Sequence, residues 1–173
     1  NKKKIIKNIK SEARIVRYNI LINYCKKNNI KILLTAHNLE DQVETFLMRL
    51  SRGSGLKGLT AMKPLSNINS KVDLCRPLLD IKKKYLIKIS KSIFGTYFKD
   101  PSNKNTNYLR TKIRSLKKPI ENSGIKYEQI FRSIQNLSSS KNTLDKYLDK
   151  IFKDLIKKIK GEILINFVKY KRL

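Results

Sequence analysis

Acidic side chains are scarce in this chain. Thirteen Asp and Glu stand against 40 Lys and Arg in 173 residues, which leaves a formal net charge of +27. A charge of that size points to a polyanionic partner, either a nucleic acid or an anionic surface. Only one histidine and two cysteines are present. Cys25 and Cys75 lie far apart without metal-ligand spacing. No cysteine metal site is expected from that spacing, and two reduced packing thiols in a cytoplasmic protein are expected. No apolar run is long enough to span a bilayer and no signal-peptide pattern opens the chain, so no membrane partner is expected. The length suits one domain with a real core and part of a second. The chain opens on Asn1 instead of Met, and a fragment is expected.

Arginine is also in short supply, with lysine supplying most of the positive charge. Lys, Asn and Ile crowd the whole sequence, and drift toward their codons accounts for part of the basicity. The arginines are then more informative than the lysines. Most fall in four clusters: Arg14 with Arg17, Arg49 with Arg52, Arg76, and Arg110 with Arg114. Where composition favours Lys, a retained Arg suggests a need for its planar, bidentate fork.

The chain reads as follows. A helix runs over residues 11–27 from a Ser11 cap, with Ala13, Val16, Ile20 and Tyr24 on one apolar stripe. Residues 30–35 form a short buried strand that ends just before His37. Asn38 caps the next helix with Asp41 at N3 of a capping-box-like pair, and Leu39, Val43, Phe46, Leu47 and Leu50 form its core stripe. Asp41, Glu44, Thr45 and Met48 line another face. A second strand covers residues 72–75. Asp80 caps a helix over residues 81–92, which Gly95 closes, and residues 96–98 form a brief strand. Asp100, Pro101, Ser102 and Asn103 make a strong turn signal. A short helix carries Arg110 and Arg114 and is stopped by Pro119. Beyond Tyr127 two apolar helical runs are interrupted by Ser138, Ser139 and Ser140. Residues 163–168 look like a strand without a partner. Helix, strand and helix in succession argue for a parallel α/β sheet, in which ligands bind beyond the carboxyl ends of the strands.

His37 lies at such an end. Asp41 and Glu44, three apart on a helix, can bind an amine, hold a metal ion or share acid–base work. The bland alternative is a solvated pair of acids near a helix N-terminus. Arg52, Gly53, Ser54 and Gly55 can form a backbone nest for an anion or a plain helix C-cap. Arg110 and Arg114, four apart, can clamp a phosphate or present an exposed basic face.

Read together, these segments have a likeness. T-A-H-N-L-E-D-Q-V-E-T-F-L-M-R-L-S-R-G-S-G-L-K-G-L, over residues 35–59, closely resembles the hallmark segment of the tRNA(Ile)-lysidine synthases. Ser11 to Tyr18 resembles that family's E-A-R-x-x-R-Y helix. Arg76, Pro77, Leu78 and Leu79 match its R-P-L-L. Asp100 to Asn103 with Tyr108 to Arg114 resemble its D-x-S-N and R-x-[RK]-[IV]-R segments, with Thr111 where Asn is frequent. Four motifs in order make a specific likeness.

The resemblance implies an adenine nucleotide alpha hydrolase-like, incomplete Rossmann-like parallel sheet followed by a helical region. Together with the apolar runs beyond Tyr127, it divides the chain into a partial PP-loop ATP-pyrophosphatase domain at 1–118, a helical linker or second domain at 119–160 and the start of a truncated C-terminal segment at 161–173. It implies a ligase that uses ATP with Mg2+ to adenylate C2 of the wobble cytidine in the CAU anticodon of tRNA(Ile), after which L-lysine attacks. Asp41 and Glu44 would bind the lysine ammonium. Arg110 and Arg114 would be catalytic with them, and Arg14, Arg17, His37, Arg52 and Gly53 would bind ATP. It leaves room for a homodimer. The family's S-G-G-x-D-S phosphate loop does not occur in this sequence, so the chain is expected to be inactive alone. A tRNA thiolase of the same fold and a non-catalytic tRNA-binding remnant are the other readings.

Overall fold

The computed structural model describes residues 9–69, 71–98, 108–159 and 162–167. Chain packing divides the protein into two compact units: Asn1–Gln42 with Met62–Asn105, and Val43–Ala61 with Thr106–Leu173.

The first unit holds α1 (Ile9–Lys27), β1 (Ile32–Leu34), the first turn of α2 (Leu39–Leu50), β2 (Leu65–Asn69), β3 (Val72–Cys75) and α4 (Lys83–Phe94). Its sheet has the order β1-β3-β2. β1 runs parallel to β3, with Leu33 opposite Leu74, and this is the parallel pair the α/β reading requires. β2 pairs antiparallel with β3 through a bulge between Asn67 and Asn69. That strand carries no alternating apolar signal. It exists because the Asn69 side-chain oxygen accepts from the backbone N–H groups of Lys71 and Val72, at 2.9 and 3.0 Å, and so folds the hairpin.

Val72, Leu74, Leu79, Leu39 and Cys25 are buried in this unit. α1 packs on β1 and β3 through Cys25, with Tyr18 and Ile22 half-buried. The expected stripe is the wrong side of that helix, because Val16, Ile20 and Tyr24 are exposed. β1 is likewise not the buried strand expected. It is an edge strand among the described residues, and Ile32 and Leu34 on one face are exposed.

α4 begins two residues later than its sequence suggests, and Asp80 does not cap it. The Glu40 carboxylate, from α2, accepts the Lys83 N–H at 2.8 Å and satisfies a donor at the helix start. Gly95, at φ +70°, ends α4 in the left-handed conformation, as expected. Residues 96–98 form no strand.

The second unit holds the rest of α2 with α3 (Leu56–Leu59), α5 (Leu109–Ser115), α6 (Lys117–Asn122), α7 (Tyr127–Leu155), β4 (Ile156–Ile159) and β5 (Glu162–Ile165). Val43, Ile113, Tyr127 and Ile134 are buried, and α3 packs on α7. The serine run does not interrupt α7, which passes through it. Serine costs a helix interior only about 0.5 kcal/mol relative to alanine, and the buried Ile134 side anchors the helix. Pro119 does not stop a helix either. The break lies at Leu116, and Pro119 falls in the first turn of α6, where no intrahelical N–H is required. β5 is not partnerless, since it pairs antiparallel with β4. The D-P-S-N turn lies outside the described residues.

Candidate functional site

The carboxyl ends of the parallel strands lie side by side. The Thr35 N–H, just past β1, donates to the Cys75 carbonyl at 3.0 Å. His37 Nδ1 and Thr35 Oγ1 are 2.9 Å apart, which fixes the half-buried imidazole at the strand exit. The capping box expected here is present. The Asn38 N–H donates to Asp41 Oδ2 and the Asp41 N–H donates to Asn38 Oδ1, each at 3.1 Å. Asp41 thus holds its position at the helix start through a local device that the sequence spells out.

Gln42 was not among the sequence candidates, yet it is 4% exposed. Its amide Nε2 donates to the Met62 carbonyl at 2.7 Å and its Oε1 accepts from the Met62 N–H at 2.8 Å. A buried amide needs both partners, and one backbone residue supplies them. The available signal was a polar residue one helical turn after Leu39, within a buried stripe.

Glu44 is buried, and its carboxylate is the meeting point of two guanidinium groups. Arg110 Nε donates to Oε2 and Arg114 Nε to Oε1, both at 2.7 Å. Spacing of four on α5 puts both arginines on one face. Each Nε–H takes its own oxygen, so the two charge-assisted bonds do not compete. The two arginines read from sequence as a phosphate clamp are therefore brought together, around a carboxylate read as an ammonium ligand.

Of the two readings of the R-G-S-G segment, the structure shows the helix C-cap. The N–H groups of Arg52, Gly53 and Ser54 donate to Arg49, Leu50 and Arg49 carbonyls at 2.9–3.1 Å. Gly53 takes φ +67° for this turn. Arg52 is exposed. Arg49 serves the fold: its Nη1 donates to the carbonyls of Gly58 and Ala61 at 2.7 and 2.8 Å. A Cβ on Gly58 would lie 2.7 Å from Ser54 Cβ, whereas one on Gly55 meets open space. Gly58→Ala is expected to lower the unfolding free energy by about 1–3 kcal/mol. Gly55→Ala is expected to change it by less than about 0.5 kcal/mol. Urea denaturation followed by circular dichroism measures both.

Arg14 and Arg17 are exposed on α1, and the Arg14 guanidinium lies 5.2 Å from the Tyr18 ring centroid. Arg76, at the end of β3, donates through Nη1 to the Lys63 carbonyl at 2.8 Å and to Ser66 Oγ at 3.0 Å. Desolvation holds its guanidinium below the ordinary arginine pKa. Among the described residues no group of three or more His, Cys, Asp or Glu could hold a metal ion. No helix among them is long and apolar enough to cross a membrane.

A strand-end histidine, a capped helix and a parallel pair flanked by helices define a parallel α/β class, in which ligands bind beyond the carboxyl ends of the strands. Residues 1–119 match the PP-loop domain, and the chain belongs to that family. The tRNA(Ile)-lysidine synthase of Wolbachia pipientis wMel is 38% identical over 155 residues, 90% of this chain and 36% of that protein. The tRNA(Ile)-lysidine synthase of Zymomonas mobilis is 42% identical over 113 residues, 64% of this chain and 34% of that protein. The chain thus spans about a third of the length of these curated relatives. Among solved structures, the U34-tRNA thiolase NcsA from Methanococcus maripaludis with its [4Fe-4S] cluster shares the fold. The TM-score is 0.60 at 20% identity, over 79% of this chain and 46% of that one.

Proposed function

We propose that this chain is part of a tRNA(Ile)-lysidine synthase. The enzyme joins L-lysine to C2 of the wobble cytidine in the CAU anticodon of tRNA(Ile). ATP first adenylates the cytidine at C2 with release of pyrophosphate; the lysine amine then attacks C2 and AMP leaves. The observation that carries the reading is the buried Glu44 carboxylate with Arg110 and Arg114 on its two oxygens. These residues stand in the segments that carry the likeness to the tRNA(Ile)-lysidine synthases, and proteins of that name are 38% and 42% identical to the chain.

A guanidinium fixed through Nε keeps its plane and needs no reorganisation as negative charge builds on a phosphate. Arg110 and Arg114 are assigned that stabilising role. Asp41 is assigned the lysine ammonium, and His37 and Arg14 a place beside the nucleotide. Glu44 holds the arginine pair, in addition to any contact with lysine. Mg2+ would enter with ATP, held largely through the substrate phosphates, and would offset their negative charge. The net charge of +27 suits a tRNA partner in the cytoplasm.

The test is ATP-dependent incorporation of labelled lysine into CAU-anticodon tRNA(Ile) by the protein in its full natural length. Lysidine in the nuclease digest supports the reading. Binding of that tRNA with no lysidine formed favours a non-catalytic tRNA-binding protein instead. Asp41→Ala is expected to raise the KM for lysine by about tenfold or more, the loss of one charge-assisted contact. It should leave tRNA affinity within about twofold, because a single acid contributes little to phosphate binding. Equal losses in both would remove Asp41 from the lysine site.

A further inference from the structure

The starts of α2 and α4 cap each other. Leu39 opens α2, and its N–H is one of the donors that a helix start leaves without an intrahelical partner. It donates to the Ile81 carbonyl, just before α4, at 3.1 Å. One residue on, Glu40 Oε2 accepts the N–H of Lys83, the first residue of α4, at 2.8 Å. The two bonds run in opposite directions from consecutive residues of α2. Together they fix the rotation of this turn about the helix axis as well as its distance from α4, which one bond alone would not.

Charge adds a second argument. Lys82, Lys83 and Lys84 follow one another at the start of α4, and its first turn holds no acid. Cations there oppose the helix dipole, and the N-cap side chain, Lys82, has no acceptor to offer. Glu40 brings a carboxylate to that end from another helix. The far side of the clamp is itself anchored. The Ile81 N–H donates to the Leu78 carbonyl at 3.0 Å, and Leu79 between them is buried. On α2, Asp41 directly follows Glu40, and its bonds to Asn38 are local. They set Asp41 against its own turn, and the clamp sets that turn against α4.

We propose that Glu40 is a positioning residue, which holds the first turn of α2 on α4 and through that turn aims the Asp41 carboxylate. The bearing on lysine rests on the role assigned to Asp41 above. A charge-assisted contact is directional, so a carboxylate whose turn can rock loses part of its hold on an ammonium group. Gln42 keeps its own bonds to Met62 when Glu40 is replaced, so α2 stays docked and only its first turn loosens.

Three variants of the protein in its full natural length test this: Glu40→Ala, Glu40→Gln and Gly58→Ala. Glutamine keeps an acceptor oxygen for the Lys83 N–H and alanine does not. Gly58→Ala weakens the fold away from the clamp and so controls for lost stability alone. Glu40→Ala is expected to raise the KM for lysine about tenfold with kcat within about threefold, because the ammonium contact serves the ground state and the transition state alike. Glu40→Gln is expected to bring that KM back to within about threefold of the parent, and Gly58→Ala to leave it within about twofold. A second readout needs no lysidine: the imidazole signal of His37 in 13C-histidine-labelled protein, assigned by its loss in His37→Gln. His37 lies next to the clamped turn, so its signal is expected to move in Glu40→Ala and to return in Glu40→Gln. If the His37 signal behaves so in a protein that forms no lysidine, the clamp stands and the lysidine reading fails. A lysine KM unmoved by Glu40→Ala, equal losses in the alanine and glutamine variants, or an unmoved His37 signal overturns the proposal.

Discussion

Glu44→Gln is expected to destabilise the protein by about 3 kcal/mol, at the lower end of the range for breaking a buried pair. The carboxylate is 6% exposed at its side chain, and both of its oxygens are committed to arginine Nε–H groups. Glutamine keeps the shape but offers one acceptor oxygen and one donor amide. One Nε–H would then face an N–H, and two cations would sit near each other with their shared counter-charge removed. The arginine side chains are 32% and 34% exposed, so both can recover part of their hydration, which places the expected cost at the lower end. Glu121→Gln serves as the comparison. Its pair with Lys117 is a 3.9 Å exposed contact, expected to contribute less than about 0.5 kcal/mol. Urea denaturation of the two variants decides the matter, and equal midpoints would show that the Glu44 cluster contributes no more than a surface pair.

Arg110→Lys and Arg114→Lys are each expected to slow adenylation of the tRNA by about 10²-fold. Lysine keeps the charge but has no Nε–H fork, so its ammonium cannot bond Glu44 and hold a plane toward a phosphate at once. Stability should fall by only about 1 kcal/mol, since one ionic contact to Glu44 can be retained. Pyrophosphate release in a single turnover, measured on the full natural protein, separates the two effects. A rate within about threefold of the parent would assign these arginines to the fold alone.

Much of the fold was legible because it rests on local chemistry. The Asn38–Asp41 capping box and the left-handed end of α4 at Gly95 each depend on residues within a few positions of one another. The misreadings have the same origin. Pro119 and the three serines are local breaker signals, but proline is harmless in a first turn and serine is tolerated in a helix anchored elsewhere. β2 was missed because an asparagine turn and a neighbour strand hold it, not its own pattern. The α1 stripe failed because that helix is apolar on more than one side, and periodicity alone does not say which side meets the sheet.

The candidate site divides along the same line. Sequence by itself determined the family likeness, the order of the motifs, the basic character of the chain and the residues worth watching. Those are properties of residue type and spacing. Tertiary structure alone decided that Glu44 serves two arginines 66 and 70 positions away, and that Glu40 caps a helix 43 positions on. It also decided that Gln42 closes on Met62, and that Arg76 is partly desolvated at the end of β3. The reason is that a charged or polar group's role follows from what replaces its lost water. That replacement comes from distant parts of the chain, where spacing in the sequence carries no information about distance in space.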